Sequence, residues 1–494
     1  MKLRDYQETA IEKLKLSLGR GRKRPVVQAP TGAGKTVIAA AIVNMARDKG
    51  KRVIFAVPAL SLIDQTVERF IQNGIYDVGV MQGQHELTDA RKPVQVCSVQ
   101  TLARREIPKS DLVLVDECHV MFKLYDDWMN RPEWQDVPFI GLTATPWSKG
   151  MGAKGRWDDL IIGTTTKELI DRRVLSGFRV FAPAHPDLTG VKTVAGDYDL
   201  KQLGDAMDRK PLVADIVTTW LEKAEGRSTI CFAVNRVHAK HIQAQFLDSG
   251  VKAAYMDAFS NLEERADIVR QFKDGDVQVI CNVGVLTTGF DADVRCIILA
   301  RPTKSEILYT QMIGRGLRQA DGKDHCLILD HSDTTLRLGF VTDLGTDKLH
   351  NGKKEKGTTP EKKEPLPKEC PQCAFVRPAK VRECPSCGFV ADKKNEIHCD
   401  EGELYEITNG KKMKITDYDS HQKQQFYSEL ILHAHLRAYK AGWAYWSYRD
   451  KFKEPPPSYL IAKPAKQVSP ITESWIKHRN IRKAKGFAKR GKFE

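Results

Sequence analysis

The chain has 494 residues, a formal charge of +15 and 41% hydrophobic residues. Its length corresponds to about three domains, and its apolar content excludes wholesale disorder. No apolar run approaches the roughly 20 residues of a membrane helix, and residues 1–6 lack the apolar segment of a secretory signal. We therefore expect a cytoplasmic protein without a membrane partner, whose 11 cysteines serve as thiols or metal ligands.

The positive charge is concentrated towards the end of the chain. Residues 351–494 carry an excess of twelve positive charges, which leaves only three for the first 350 residues. Such an uneven distribution favours contact with a polyanion, for which nucleic acid is the first candidate. A solvated, solubilising tail is the alternative.

Short β-branched runs alternate with longer helical patterns from residue 25 to about 340. A first series of predicted strands covers 26–27, 53–57, 94–97, 112–115 and 139–142, and a second covers 229–232, 277–280, 296–299 and 326–329. Continuous apolar strands between helices indicate parallel sheets that are covered on both faces. The pattern predicts an α/β fold with two lobes.

Changes in composition divide the chain into five predicted parts. A first lobe spans 1–185, a second lobe 186–345, a linker rich in Lys, Glu, Gly and Pro 346–368, a cysteine module 369–390, and a basic, aromatic C-terminal region 391–494. We expect the C-terminal region to be α-rich and to bind nucleic acid or a partner protein.

A phosphate-binding turn lies between the first predicted strand and a helical run, which is the context that a P-loop requires. Gly32 and Gly34 allow backbone N–H groups to surround phosphate oxygens. Lys35 is expected to reach the β- and γ-phosphates, and the Thr36 hydroxyl to ligate Mg²⁺. The motif starts with Ala29 where the full pattern has Gly, which is a mild departure at the edge of the loop. The residues expected to bind ATP here are Thr31, Gly32, Ala33, Gly34, Lys35 and Thr36.

An acidic strand end supplies the second half of a nucleotide site. The apolar run 112–115 is followed by Asp116 and Glu117. We expect Asp116 to hold Mg²⁺ through water, and Glu117 to act as the general base that activates the attacking water.

An ordered set of motifs over residues 3–318 resembles the superfamily 2 helicases and translocases, which are built on paired RecA-like lobes. The matching strings are 3–7 (adenine sensing), the DECH box 116–119, Thr-Ala-Thr at 143–145, motif V at 285–291 and QxxGRxxR at 311–318. Each string alone is weak, but their order and separation are specific. The resemblance implies a nucleic-acid-stimulated ATPase that uses ATP and Mg²⁺.

The resemblance also implies roles for individual residues. Arg315 and Arg318 would reach ATP from the second lobe, with Arg318 as the arginine finger, because a guanidinium stabilises the γ-phosphoryl group in transit. Further residues implied are Arg4 and Gln7 for adenine, Gly289 and Asp291 for the nucleotide, Gln311 for catalysis, and His119, Thr143 and Thr145 for coupling hydrolysis to strand binding.

Contacts to a nucleic acid strand are implied by the same resemblance. They fall on Pro58, Ser98, Gln100, Thr101, Asn235, Arg236 and Thr288, which would touch phosphates and sugars. The alternative for each is a cap or turn residue.

Four cysteines form two CxxC knuckles, Cys370, Cys373, Cys384 and Cys387. Such spacing is typical of a closed, structural Zn²⁺ site, because two knuckles supply four thiolates at tetrahedral distance. A pair of redox disulfides is the alternative.

Aromatic and basic residues alternate over 439–453. They could stack on bases, but the helical spacing of Tyr439, Trp443 and Trp446 favours packing into a core. The basic end, which contains Arg482, Lys483, Lys485, Lys489 and Arg490, is expected to bind phosphate or to form a disordered arm.

The zinc knuckles behind a DECH-box core, followed by Gly-Trp-Ala at 442–444, resemble the RadD (YejH)-like bacterial helicases and related phage helicases. This resemblance implies double-stranded or forked DNA as the substrate, with DNA favoured over RNA, and a role in repair, recombination or replication. We expect the protein in the cytoplasm of a bacterial or phage-infected cell. We also expect a monomer that contacts repair or replication proteins through its C-terminal region. An RNA helicase or duplex-RNA translocase, and an ATP-switched recruitment factor that does not unwind, are the alternatives.

Overall fold

The computed structural model describes residues 3–83, 85–286, 290, 292–353, 365–390, 418–440, 442–473, 475–477 and 479. The chain divides into two compact units, Met1–Lys393 and Lys394–Glu494. No helix among the described residues is both long and apolar enough to cross a membrane.

The helices of the first unit are α1 (Asp5–Gly19), α2 (Lys35–Arg47), α3 (Ile63–Gln72), α4 (Val99–Leu102), α5 (Lys123–Met129), α6 (Thr166–Asp171), α7 (Leu200–Met207), α8 (Lys210–Lys223), α9 (Arg236–Asp248), α10 (Leu262–Asp274), α11 (Glu306–Gly316) and α12 (Thr334–Leu338). Its strands are β1 (Pro25–Gln28), β2 (Val53–Val57), β3 (Val78–Met81), β4 (Val94–Ser98), β5 (Leu112–Asp116), β6 (Phe139–Thr143), β7 (Asp159–Ile162), β8 (Gly177–Phe181), β9 (Thr193–Val194), β10 (Asp197–Tyr198), β11 (Thr229–Phe232), β12 (Ala253–Met256), β13 (Val279–Asn282), β14 (Cys296–Leu299), β15 (His325–Asp330), β16 (Lys368–Glu369) and β17 (Val376–Arg377). Short 3₁₀ helices cover Leu60–Leu62 and Pro132–Trp134.

The first lobe is built on a seven-stranded parallel sheet with the order β3-β4-β2-β5-β6-β1-β7. Its central strands are mainly apolar, and all five residues of β2 are both apolar and buried. Helices cover both faces, as the continuous apolar runs predict. The carboxyl ends of β1, β5 and β6 therefore lie side by side at one edge of this sheet.

The second lobe is built on a six-stranded parallel sheet with the order β12-β13-β11-β14-β15-β8. The predicted α/β fold with two parallel-sheet lobes is thus confirmed. Strand β8 pairs with β15 in this second sheet, so the sheet begins at Gly177, earlier than the predicted boundary at 185/186. A five-residue edge strand carries no local signal of which sheet it joins, and only the register with β15 reveals it.

The cysteine module closes one edge of the second sheet. Its two-stranded ribbon, β16 and β17, is antiparallel. The Ala182 backbone N–H donates to the Ala374 carbonyl at 2.9 Å, and the Phe181 and Phe375 rings meet edge to face at 5.4 Å. Arg179 donates to Ser386 Oγ at 3.0 Å. The module therefore covers the exposed side of β8, which would otherwise be an open edge strand.

The second unit contains α13 (Ser420–Leu436) and α14 (Trp443–Phe452). Its core contains Phe426, Leu430, Tyr448 and Phe452. The described part of the C-terminal region is thus α-rich, as predicted. Trp443 packs against this core as expected, but the expectation is wrong for Tyr439 and Trp446, which are 40% and 58% exposed. Tyr448 and Phe452 lie on the inner face of α14, so the stripe that packs is offset from the predicted one.

Candidate active site between the lobes

The phosphate-binding turn connects β1 to α2. Gly32 and Gly34 both adopt the left-handed conformation, with φ of 86° and 81°. Residues other than glycine rarely adopt this conformation. A Cβ on Gly34 would also lie 2.5 Å from Gln7 Nε2. The turn is therefore shaped by Gly34, which the P-loop pattern requires, and by Gly32 at a position that the pattern leaves open. Thr36 follows half-buried in the first turn of α2.

The predicted adenine-sensing residues hold this turn from the side of α1. The Gln7 amide donates to the Ala33 carbonyl at 3.0 Å, and the Tyr6 hydroxyl donates to the same oxygen at 3.1 Å. Gln7 Oε1 accepts from the Arg4 backbone N–H at 3.0 Å, and the Arg4 guanidinium donates to Tyr6 Oη at 3.2 Å. The amide of Gln7 thus links the start of the chain to the P-loop.

Lys35 lies between the two carboxylates that end β5. Its ammonium is 3.2 Å from Asp116 Oδ1 and also bonds the Glu117 carboxylate. Glu117 has a φ of 48°, a strained conformation for a residue with a side chain. Its backbone N–H donates to Asp116 Oδ1 at 3.0 Å. The strained turn directs both carboxylates towards the P-loop lysine.

Within this cluster the charges of Lys35 and Glu117 stabilise each other, whereas the charge of Asp116 is disfavoured. Burial alone would lower the pKa of Lys35, but the charges of Asp116 and Glu117 outweigh it and raise that pKa. Burial alone would raise the pKa of Glu117, but Lys35 and His119 hold it well below its ordinary value. For Asp116, burial dominates and the pKa is raised.

His119 connects this cluster to the second lobe. Its Nδ1 lies 2.8 Å from Thr143 Oγ1 and 3.3 Å from Glu117 Oε2, and its Nε2 lies 3.3 Å from Gln311 Nε2 on α11. The Thr145 backbone N–H donates to Thr143 Oγ1 at 3.0 Å. The Gln311 amide thus links α11 to the His119 ring. The residues predicted to couple hydrolysis to strand binding are thus in one hydrogen-bonded group.

Helix α11 packs directly against the P-loop. A Cβ on Gly314 would lie 2.8 Å from Thr31 Cβ, and a Cβ on Gly32 would lie 3.6 Å from Arg318 Cγ. Arg315 is buried. The guanidinium groups of Arg315 and Arg318 donate to the Phe290 carbonyl at 3.2 and 2.5 Å. The structure therefore brings groups of both lobes together around the phosphate-binding turn.

A buried lysine near these arginines, Lys323, was not predicted from the sequence. The Lys323 ammonium donates to the carbonyls of Val294, Gly316 and Arg318 at 2.6 to 2.7 Å. Burial lowers its pKa, and its three N–H donors match three carbonyls. Lys323 thereby fixes the backbone that carries Arg318, and a lone Lys in a polar turn gives no sequence signal of this role.

Comparison with known proteins agrees with this architecture. Residues 1–148 match the family described as "Type III restriction enzyme, res subunit", and residues 212–320 match "Helicase conserved C-terminal domain". A 51.5 kDa protein of a Lactococcus phage is 31% identical over 362 residues, covering 72% of this chain and 75% of the phage protein. The chain belongs to the superfamily 2 helicases. It is accordingly an enzyme of the ATP-dependent helicase class.

Two further proteins place this helicase among its relatives. A Saccharomyces cerevisiae protein named as an ATP-dependent helicase, IRC3, is 31% identical over 360 residues, covering 66% of this chain and 51% of the yeast protein. The helicase thus spans about half the length of that relative. A Vibrio vulnificus fragment described as the HsdR subunit of a type I restriction enzyme shares the fold, with a TM-score of 0.51, 20% identity and coverage of 68% of this chain and 65% of the fragment.

The residues of the first lobe that are predicted to contact a nucleic acid strand lie where β2 and β4 end. Gln100 is exposed and donates to the Pro58 carbonyl at 3.0 Å. Ser98 is fully buried and caps α4, because its hydroxyl accepts from the Thr101 backbone N–H at 3.1 Å and lies 3.0 Å from Thr101 Oγ1. In this structure the helicase uses the Ser98 side chain as a cap.

The predicted contacts of the second lobe follow β11. Asn235 caps α9 by accepting from the His238 backbone N–H at 2.9 Å. Arg236 is exposed and pairs with Asp257 at 2.9 Å. Thr288, Gly289, Asp291 and the basic residues from Arg482 onwards lie outside the described residues.

The four predicted zinc ligands of the helicase form a compact cluster. All four Sγ atoms lie within 4.8 Å of one another, and Cys370–Cys387 and Cys373–Cys384 are each 3.7 Å apart. Zn–S bonds of about 2.3 Å in a tetrahedron separate the sulfurs by roughly 3.8 Å. The donor set therefore fits Zn²⁺, and the sulfurs are too far apart for disulfide bonds, which need about 2.0 Å.

Proposed function

We propose that this helicase is a DNA-stimulated ATPase that couples ATP hydrolysis between its lobes to movement along DNA. The observation that carries the proposal is the packing of α11 on the P-loop, with Thr31 against Gly314 and Gly32 beside Arg318. Groups from both lobes then surround one phosphate site, so that hydrolysis depends on the arrangement of the lobes.

Lys35 and Glu117 act in sequence in this proposal. Incoming β- and γ-phosphates compete for the Lys35 ammonium, which now bonds the Glu117 and Asp116 carboxylates. Release of Lys35 leaves the Glu117 carboxylate able to accept a proton from the attacking water. Thr36 and Asp116 would hold Mg²⁺, which when bound neutralises phosphate charge.

Arg315 and Arg318 supply the positive charge of the second lobe. Both guanidinium groups now share the Phe290 carbonyl, and Arg318 adjoins Gly32 of the P-loop. We assign Arg318 as the finger that stabilises the γ-phosphoryl group, with Arg315 beside it. Arg4 and Gln7 would complete the site at adenine.

The hydrogen-bonded group around His119 would transmit the state of the nucleotide. His119 touches Glu117 and Thr143 on one lobe and Gln311 on the other. A shift of Glu117 on ATP binding would therefore reach α11 through one imidazole. The contacts of Gln100, Thr101 and Arg236 with a strand would change as the lobes move.

DNA is the proposed partner because the family that matches the first lobe is described as a subunit of a restriction enzyme. The zinc knuckles and the basic, aromatic C-terminal region support the narrower RadD-like assignment and a cytoplasmic role in repair, recombination or replication. The exposed Trp446, with the Arg449 guanidinium 5.2 Å from its ring, gives the C-terminal region a surface for nucleic acid.

Cys370, Cys373, Cys384 and Cys387 would hold one structural Zn²⁺. The ion would supply folding energy to a module that has too few apolar residues for a core of its own. Metal analysis of the purified helicase is expected to find one zinc per chain and to lose it in Cys384→Ser. A full zinc content in that variant would overturn the assignment.

The decisive experiment measures ATP hydrolysis with single-stranded, duplex and forked DNA and with RNA, alongside strand displacement. We expect DNA to stimulate turnover and RNA to have little effect. Stimulation by RNA alone would overturn the DNA assignment. Turnover that no nucleic acid stimulates would overturn the translocase and favour an ATP-switched recruitment factor.

A further inference from the structure

An aromatic side chain is held in solvent beside the predicted strand contacts of the second lobe. Phe259 follows β12 and is 79% exposed. Burial of a Phe side chain stabilises a fold, and this position forgoes that stabilisation. Since the ring lies just after a strand of a parallel sheet, it stands at the carboxyl edge where such sheets bind ligands.

A buried carboxylate fixes the turn that carries this ring. Asp257 is 3% exposed. Its Oδ1 accepts from the backbone N–H groups of Phe259 and Ser260 at 2.8 and 2.9 Å, and its Oδ2 accepts from the Tyr255 hydroxyl at 2.6 Å. The position of Phe259 is therefore set by an anchored turn.

A cation lies over the same ring. The Arg236 guanidinium is 4.7 Å from the centre of the Phe259 ring, and its Nε is 2.9 Å from Asp257 Oδ2. Arg236 begins α9 directly after Asn235, whereas Phe259 follows a different strand of the same sheet. Two segments far apart in the chain thus converge on one aromatic and cationic surface.

We propose that Phe259 is a stacking site for a nucleobase of a single strand, with Arg236 holding an adjacent phosphate. An exposed aromatic ring offers a face that any base can stack on, and a neighbouring cation binds the strand backbone. The site adds a base contact to the proposed translocase and rests on that proposed function. It takes a single-stranded nucleic acid without base preference, because stacking does not read hydrogen-bonding edges.

The test measures the strand concentration that half-saturates ATP hydrolysis in the full-length helicase and in Phe259→Ala and Phe259→Trp. Loss of one base stack, worth about 1–3 kcal/mol, should raise that concentration by about 5- to 150-fold in Phe259→Ala. Phe259→Trp should restore it. Tyr76→Ala removes an aromatic ring that is 75% exposed on the first lobe and should behave as the parent.

A strand made of abasic sugar phosphates separates stacking from charge. The parent and Phe259→Ala should bind this strand equally, because it offers no base to stack on. An unchanged half-saturating concentration in Phe259→Ala on a normal strand, or an equal loss on the abasic strand, would overturn the inference. In either case stimulation of the parent by DNA would leave the proposed function standing, whereas a parent that no nucleic acid stimulates would overturn both.

Discussion

The proposed nucleotide cleft and the edges where strand contacts are predicted use their polar side chains differently. In the cleft, Lys35 bonds Asp116 and Glu117, and His119 bonds Glu117 and Gln311, so the predicted catalytic side chains meet one another. At the strand edges, Ser98 and Asn235 cap the helices that follow them.

The difference reflects what each region must do. Phosphoryl transfer needs charged groups at fixed positions, so distant motifs have to converge. A nucleic acid strand that is bound without sequence preference can be held by backbone groups, hydroxyls and exposed aromatic rings. A small polar residue at the end of a β-strand can therefore act as a helix cap without contacting the nucleic acid.

The largest expected effect is in the cleft, from Arg318→Ala. An arginine that stabilises the γ-phosphoryl charge is worth about 10³- to 10⁵-fold in kcat, and we expect DNA-stimulated turnover to fall by at least about 10³-fold. Arg270→Ala is the control, because Arg270 is an exposed residue of α10. A fall in turnover of less than tenfold in Arg318→Ala would contradict the assignment of Arg318 as the arginine finger.

A smaller loss is expected from Lys323→Met, which keeps the length of the side chain and removes its three hydrogen bonds. Displacement of a catalytic group by about 1 Å can cost about 10²-fold, so we expect kcat to fall by about 10- to 100-fold with little change in KM for ATP. Lys273→Met, at an exposed position of α10, is the control. A matched rise in KM, or a general loss of thermal stability with unchanged kcat, would contradict a role in positioning Arg318.

The smallest effect separates capping from strand binding. Ser98→Ala should lower the free energy of unfolding by about 1 kcal/mol, the usual cost of a lost cap, and leave the half-saturating strand concentration unchanged. Gln100→Ala, at an exposed neighbouring position, should raise that concentration and leave stability unchanged. The reverse pattern in chemical denaturation and ATPase titrations would restore Ser98 as a strand contact.

Much of this architecture could be predicted from the sequence. The apolar strand runs predict two parallel sheets, and the two CxxC knuckles predict a cluster of four cysteines that the structure shows. Motif order predicts that Lys35 and the acidic end of β5 serve the same nucleotide. These features are predictable for the same reason, because each is encoded by a local pattern of residue types that few other structures require.

Other features depend on contacts that no local pattern encodes. The membership of β8 in the second sheet follows from its register with β15. Lys323 is buried only because three carbonyls converge on it, and Asp257 anchors the turn that holds Phe259 in solvent. Trp446 has helical spacing with Trp443, yet α14 turns Tyr448 and Phe452 inwards instead.

The central claim is that Glu117, held between Lys35 and His119, activates water in this cleft. Its most direct test is Glu117→Gln, with Glu133→Gln, an exposed residue of the same lobe, as control. Loss of the general base should lower DNA-stimulated ATP turnover by about 10²- to 10⁴-fold while ATP still binds. Turnover within tenfold of the parent would contradict the claim.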